Sequence, residues 1–170
     1  MYKLILVAVD GSETSSRALA AAVDLALARE SGAQVQPLYV VDVPLMSYDV
    51  PGYDPSYVRN ALVEEGHHVL ADATALMAQA GVEGSPRMVE TDLTGEDIAH
   101  RIRAAALEFN ADVVVMGTHG RRGVRRLVSG SVAERFLRIA SCPVLLVSMH
   151  CAPSAAKAAP VAEELVKDPS

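Results

Sequence analysis

Cysteine is scarce in this chain of 170 residues, with Cys142 and Cys151 its entire complement. Their spacing fits neither a zinc site nor a CxxC redox motif. Cys142, just before Pro143 and an apolar run, reads as a small core or edge residue. So little thiol suits a reducing compartment and predicts a cytoplasmic protein. A long hydrophobic run is also missing, since none approaches the length that spans a bilayer. The opening MYKLILVAVDGS does not read as a signal peptide, because Asp10 interrupts a short apolar run with the pattern of a strand. Basic residues are in the minority: 15 Lys and Arg face 21 Asp and Glu, for a formal net charge of -6. That balance argues against broad binding to nucleic acid. No GxxxxGK[ST] motif supplies a P-loop lysine beside Asp10. No local motif marks a serine, histidine and carboxylate arrangement. These absences point away from an efficient enzyme.

What is present is an apolar fraction of 51%, enough at this length for one domain with a full core. One segment departs from the acidic whole. Met116 to Ala133 reads MGTHGRRGVRRLVSGSVA, with four glycines, four arginines and no carboxylate. Glycines let backbone amides approach a ligand closely. A helix start adds N–H groups and a dipole that favours an anion. The segment runs from the apolar Val113, Val114 and Val115 to the helix-like SVAERFLRIA. A phosphate site is the chemical reading; a solvated basic loop is the plain one.

Apolar runs and helical spacings alternate along the chain. Leu4 to Val9 reads as a strand buried on both faces. Ser12 or Thr14 can cap a helix over Ser15 to Glu30, which Ser31-Gly32 stops. Val35 to Val41 is the second strand, with Pro37 favouring an edge position or a local irregularity. Residues 42–55 form a loop. Ser56 opens a helix to about Ala80. Arg87 to Thr91 is a short strand. Thr94 and Asp97 make a capping-box pattern before Ile98, Ile102, Ala105 and Phe109, a stripe that should face a sheet. Ala111 to Met116 is the fourth strand. Ser131 and Glu134 repeat the cap pattern, with Val132, Phe136 and Ile139 as the packing face. Pro143 to Val147 is the fifth strand. Residues 1–149 are expected to form one domain, and 150–170 an alanine- and proline-rich tail without an apolar face. The alternation predicts an α/β fold: an open parallel five-stranded sheet with helices on both faces, Rossmann-like. Ligands in such sheets bind past the strands' carboxyl ends, where the winding reverses. Asp10 and Gly117 each stand just past such an end.

These residues resemble the universal stress protein family. Its nucleotide motif is Gly, two residues, Gly, nine residues, Gly, then Ser or Thr, met here by Gly117, Gly120, Gly130 and Ser131. LILVAVDGSETSSRAL is similar to the family's first strand and turn, and DVVVMGTHGRRGVRRLVSGSVAERFLRIASCPVLLV to its carboxyl-terminal signature. The likeness covers residues 2–148. One departure is ETDLTGEDIA, where the family has a glycine soon after the third strand and this chain has Gly95 later.

The resemblance implies strand order 3-2-1-4-5, akin to the adenine nucleotide alpha hydrolase fold. It implies an ATP-binding protein with a regulatory, nucleotide-switched role in stress response, and leaves slow ATP hydrolysis open. Alternatives are a binder of AMP or cyclic AMP, and a nucleotide-independent interaction module. A redox dinucleotide enzyme is disfavoured, since GTHGRRG lacks the GxGxxG spacing. By resemblance, Ala8 and Val41 lie beside adenine. Asp10 meets ribose or a magnesium ion. Met116, Gly117, His119 and Gly120 border adenine, ribose and phosphate, and Gly130, Ser131, Val132 and Ala133 meet the phosphates. Arg121 and Arg122 attract the anion. Each has a plainer reading: an Asx turn for Asp10, a core side chain for Val41, a helix cap for Ser131, solvated side chains for His119 and the arginines. The family also implies a homodimer through the strand at 143–148, which would close an apolar sheet edge.

Overall fold

The computed structural model describes residues 2–28, 32–43, 54–92, 96–118 and 131–149. Five strands alternate with four helices: β1 (Leu4–Ala8), α1 (Glu13–Leu27), β2 (Gln34–Val41), α2 (Ser56–Gln79), β3 (Arg87–Glu90), α3 (Ile98–Phe109), β4 (Val113–Gly117), α4 (Ser131–Ile139) and β5 (Val144–Val147). All pairings are parallel, in the order β3-β2-β1-β4-β5. The expected α/β class, strand order and two-faced helix cover are therefore present.

Strand side chains alternate between two cores. Ile5, Val7, Val35, Tyr39, Val41, Val113 and Val115 join α1 and α2 on one face. Leu6, Leu38, Val89, Val114 and Met116 join α3 and α4 on the other. Burial on both faces explains the unbroken apolar runs that the sequence shows in β1 and β4. The stripe on α3 faces the sheet as expected, with Ile102 and Ala105 buried and Ile98 and Phe109 packed beside them. Among the described residues no helix is long and apolar enough to cross a membrane.

Two local expectations change. Pro37 sits in an interior strand, opposite Val7 of β1. Parallel ladders alternate sides, and Val35 donates to Glu83 on the β3 side, so position 37 turns the same way. There β3 has not yet begun, and Val35 and Gly84 form only an isolated bridge. The missing N–H of proline therefore interrupts little. The second change concerns α3. Asp97 is itself the N-cap, accepting from the His100 amide at 2.9 Å, so the helix starts after the predicted Thr94–Asp97 box. Thr94 lies outside the described residues. At the far end of α3, Asn110 takes the left-handed conformation (φ 55°) and stops the helix.

Candidate functional site

The winding reverses between β1 and β4, where the first crossover goes one way and the last the other. The carboxyl ends of β1, β2 and β4 stand side by side there, bringing Ala8, Asp10, Val41, Met116 and Gly117 to one end of the sheet.

The turn after β1 is built from short polar side chains. Asp10 Oδ1 accepts from the Ser12 amide at 3.0 Å and the Ser12 hydroxyl at 2.6 Å. This is the Asx turn that the residue types permit. Gly11 between them has φ +80°, a conformation that L side chains rarely adopt. Ser12, and not Thr14, caps α1, its Oγ accepting from the Ser15 amide. Ser15 Oγ donates to the Ser12 carbonyl at 2.9 Å and accepts from the Asp10 amide at 3.3 Å. The Asp10 carboxylate is thus held in one orientation by its neighbours.

Gly117 closes β4. Its φ is not in the left-handed region, so turn geometry is not what calls for glycine. A Cβ there would lie 2.9 Å from Thr14 Cβ and 3.1 Å from the Thr14 carbonyl carbon. The glycine lets the first turn of α1 press against the end of β4. Thr14, buried at 2% exposure, stands at this end of the sheet, and sequence reasoning weighed it only as a cap. Its one legible signal was the hydroxyl run in GSETSS.

Val41 and Met116 lie on opposite faces. The Val41 side chain belongs to the α1–α2 core, and that of Met116 to the α3–α4 core with Ala8 beside it. The Val41 carbonyl accepts from the Thr91 amide at 3.0 Å, and Thr91 Oγ1 donates to Asp42 at 3.2 Å, joining the β2 and β3 exits. On α4, Ala133 is buried and Val132 half-buried, and Ser131 is the first helical residue. His119, Gly120, Arg121, Arg122 and Gly130 lie outside the described residues.

Two ion pairs that sequence spacing could not show brace this end. Arg59 of α2 makes a paired fork to Glu90 of β3, at 2.8 and 2.8 Å with a third contact of 3.1 Å. Arg135 of α4 donates to Asp97 Oδ2 at 2.6 Å, while Asp97 Oδ1 faces the amide and ring of His100. Burial pushes the Asp97 carboxyl up, but the bonds from the His100 amide, Arg135 and the His100 ring outweigh it and hold it at about 2.

Residues 1–148 match the universal stress protein family. A universal stress protein of Methanocaldococcus jannaschii is 35% identical over 148 residues, 86% of this chain and 82% of that one. A crystal structure of a family protein from Burkholderia pseudomallei is 49% identical, with a TM-score of 0.71, covering 86% of this chain and 96% of the other. Two more distant structures share the fold. One is a universal stress protein in complex with cAMP, at 24% identity and TM-score 0.63, with 86% and 97% covered. The other is an Arabidopsis thaliana family protein with AMP bound, at 19% and 0.57, with 86% and 91% covered. At those identities the likeness shows the fold, and the ligands named are those of the two neighbours themselves. With a match along nearly the whole domain and a curated relative above 30% identity, the chain belongs to the universal stress protein family.

Proposed function

We propose that this protein binds an adenine nucleotide in the crevice past β1 and β4, and that occupancy regulates its recognition of other proteins in a cytoplasmic stress response. The observation that carries the reading is the Asp10 turn, a carboxylate fixed at the winding reversal two residues past β1. A carboxylate there accepts from ribose hydroxyls. In this reading Gly117, Gly120, Gly130 and Ser131 bring amides and a hydroxyl to the phosphate. A bound nucleotide stabilises the bound conformation by mass action and so shifts what a partner meets.

The adenine monophosphates AMP and cAMP come ahead of ATP, because they are the ligands named for the two fold neighbours described above. ATP is the second reading, supported by the Gly117–Gly120–Gly130–Ser131 spacing. Mg²⁺ belongs to that second reading. It keeps several waters and takes one or two carboxylates along with nucleotide phosphates, and Asp10 supplies one carboxylate. In that reading the ion would arrive with the nucleotide.

The test is to denature the purified protein, identify released nucleotide by mass spectrometry, and titrate the emptied protein with AMP, cAMP and ATP with and without Mg²⁺. Tightest binding of a monophosphate supports the leading reading. Tightest binding of ATP with Mg²⁺ moves the weight to the second. A folded protein that ignores all three overturns both and leaves a nucleotide-independent interaction module.

We also propose a homodimer through residues 143–148. β5 is a sheet edge, and Leu145 on it is 40% exposed, an apolar edge that a second copy would cover. Leu145→Lys is expected to convert a dimer to a monomer in sedimentation, with the circular dichroism unchanged.

A further inference from the structure

We propose that Thr14 is a positioning residue for the ligand contact of Asp10, acting through the hydroxyl of Ser12; the proposal rests on the nucleotide reading above. An ionised carboxylate only accepts, and a serine hydroxyl has one proton to give. Ser12 Oγ gives that proton to Asp10 Oδ1 at 2.6 Å. The 3.1 Å contact between Ser12 Oγ and Thr14 Oγ1 is therefore donated by Thr14. The Ser15 amide, at 3.2 Å, supplies a second donor to Ser12 Oγ. Ser12 then gives one bond and receives two, and its hydroxyl has a single orientation. In the proposed arrangement the chain runs from Thr14 to Ser12 to Asp10.

Thr14 is suited to anchor such a chain. It is buried at 2% exposure, in the first turn of α1. Its Cβ and main chain press on Gly117 at the end of β4. The orientation of the carboxylate past β1 is thereby tied to the exit of the neighbouring strand, where the glycine segment begins. Hydrogen bonds in series polarise and stiffen one another, and a group held in its bound geometry spends less of the binding free energy on ordering. Without Thr14, Ser12 Oγ keeps one donor behind it, the Ser15 amide of the first turn of α1. Ser12 with Thr14 behind it holds Asp10 against the packed interface of α1 and β4.

The experiment compares the wild-type chain with Thr14→Val, which keeps the branched shape and removes the hydroxyl, and Thr14→Ser, which restores the hydroxyl on a smaller side chain. One readout needs no ligand. Amide hydrogen exchange at Ser12 is expected to quicken ~10-fold in Thr14→Val and to recover in Thr14→Ser, while the Val114 amide in β4 stays as in wild type. The second readout is calorimetric titration with AMP and with 2′,3′-dideoxy-AMP, which lacks both ribose hydroxyls. Thr14→Val is expected to weaken AMP ~10-fold, about the value of one hydrogen bond to a charged group, with little change for the dideoxy compound. Thr14→Ser should bind AMP as wild type does. Equal weakening of both compounds would mean a general loosening and would overturn the positioning role. So would unchanged exchange at Ser12. If wild type binds neither compound, nor cAMP, nor ATP with Mg²⁺, while Ser12 exchange still responds to Thr14, the nucleotide reading has failed. The ligand-positioning claim falls with it, leaving a brace of the turn.

Discussion

Two aspartates do similar chemistry at opposite ends of the sheet. Asp112, where β4 enters, accepts at Oδ2 from the amides of Lys3 at 2.7 Å and Leu4 at 3.0 Å. Asp10, where β1 exits, accepts at Oδ1 from the amide and hydroxyl of Ser12. The partners of Asp112 lie 109 and 108 residues away in the chain; Ser12, which bonds Asp10 Oδ1, lies two away. A bond across that distance closes a large loop and exists only when β1 and β4 are paired. A bond to the residue after next can form in the unfolded chain as well, so it adds little to the difference between folded and unfolded states. Its consequence is orientation. The bonds at the entering end hold the fold, and those at the exit of β1 aim a group.

Substitutions at the entering end are expected to act on stability and to leave binding alone. Gly84 makes the sharpest case. A Cβ there would lie 2.5 Å from the Val35 carbonyl oxygen and 2.7 Å from Met77 Sδ and Cε. Methionine can yield, but the strand carbonyl cannot without moving β2. Gly84→Ala is expected to cost about 3 kcal/mol, the upper part of the overpacking range. Asp112→Ala removes the bonds to the amides of Lys3 and Leu4, which water can partly replace at this exposed end, and is expected to cost about 1 kcal/mol. Urea unfolding measures both. Nucleotide affinity per folded molecule should stay within a factor of two or so of wild type, since neither residue is at the exit end. A drop in affinity that matched the loss of stability would erase the contrast between the ends.

The converse variant is Asp10→Asn. Asparagine keeps the Asx turn and its Oδ1 acceptor but loses the charge offered to a ligand. Affinity for AMP is expected to fall ~10-fold, equivalent to about 1.4 kcal/mol of binding. Unfolding free energy should change less than in Asp112→Ala, because the Ser12 bonds to Oδ1 are kept.

The fold was nearly all legible in the sequence because its signals are redundant. The apolar runs of β1 and β4, the cap at Ser12 and the stripe on α3 all point to the same parallel sheet. Helix and strand ends drifted by a few residues, as at Glu13 and Ile98, where several polar residues in a row could each serve as cap. Pro37 misled because its cost depends on which side of β2 lacks a partner, a property of the neighbouring strand's length. At the site, Asp10 and Gly117 could be found by position and spacing. The reason for glycine at 117 could not, because it lies in contact with Thr14, more than a hundred residues earlier. Nor could the pairs Arg59–Glu90 and Asp97–Arg135, which the packing of whole elements brings together. Side chains that meet through topology leave no spacing to read.

Asp97 refines the contrast between the two ends, since it stands at the exit end yet has a partner in another helix. Its Oδ2 accepts from Arg135 of α4, 38 residues on, while its Oδ1 caps α3. Burial raises its carboxyl, and the bonds from the His100 amide, Arg135 and the His100 ring bring it to about 2 against an ordinary 3.8. A carboxyl lowered in the folded state stabilises fully above its ordinary value, and that contribution is lost as pH falls through about 2. The shift alone corresponds to about 2 kcal/mol. The carboxyl is 29% exposed and Arg135 is 56% exposed, so solvent screening reduces this to about 1 kcal/mol. Asp97→Asn keeps a capping oxygen and removes the charge. At pH 7 it is expected to unfold with about 1 kcal/mol less free energy than wild type, and the gap should close between pH 4 and pH 2. Added salt should narrow the gap at pH 7, because the pair is partly in water. A gap that stays constant down to pH 2 would mean that the Arg135 pair contributes nothing through charge. The exit end would then lack this tie between α3 and α4, and the division between a holding end and an aiming end would be sharper than the hydrogen bonds suggest.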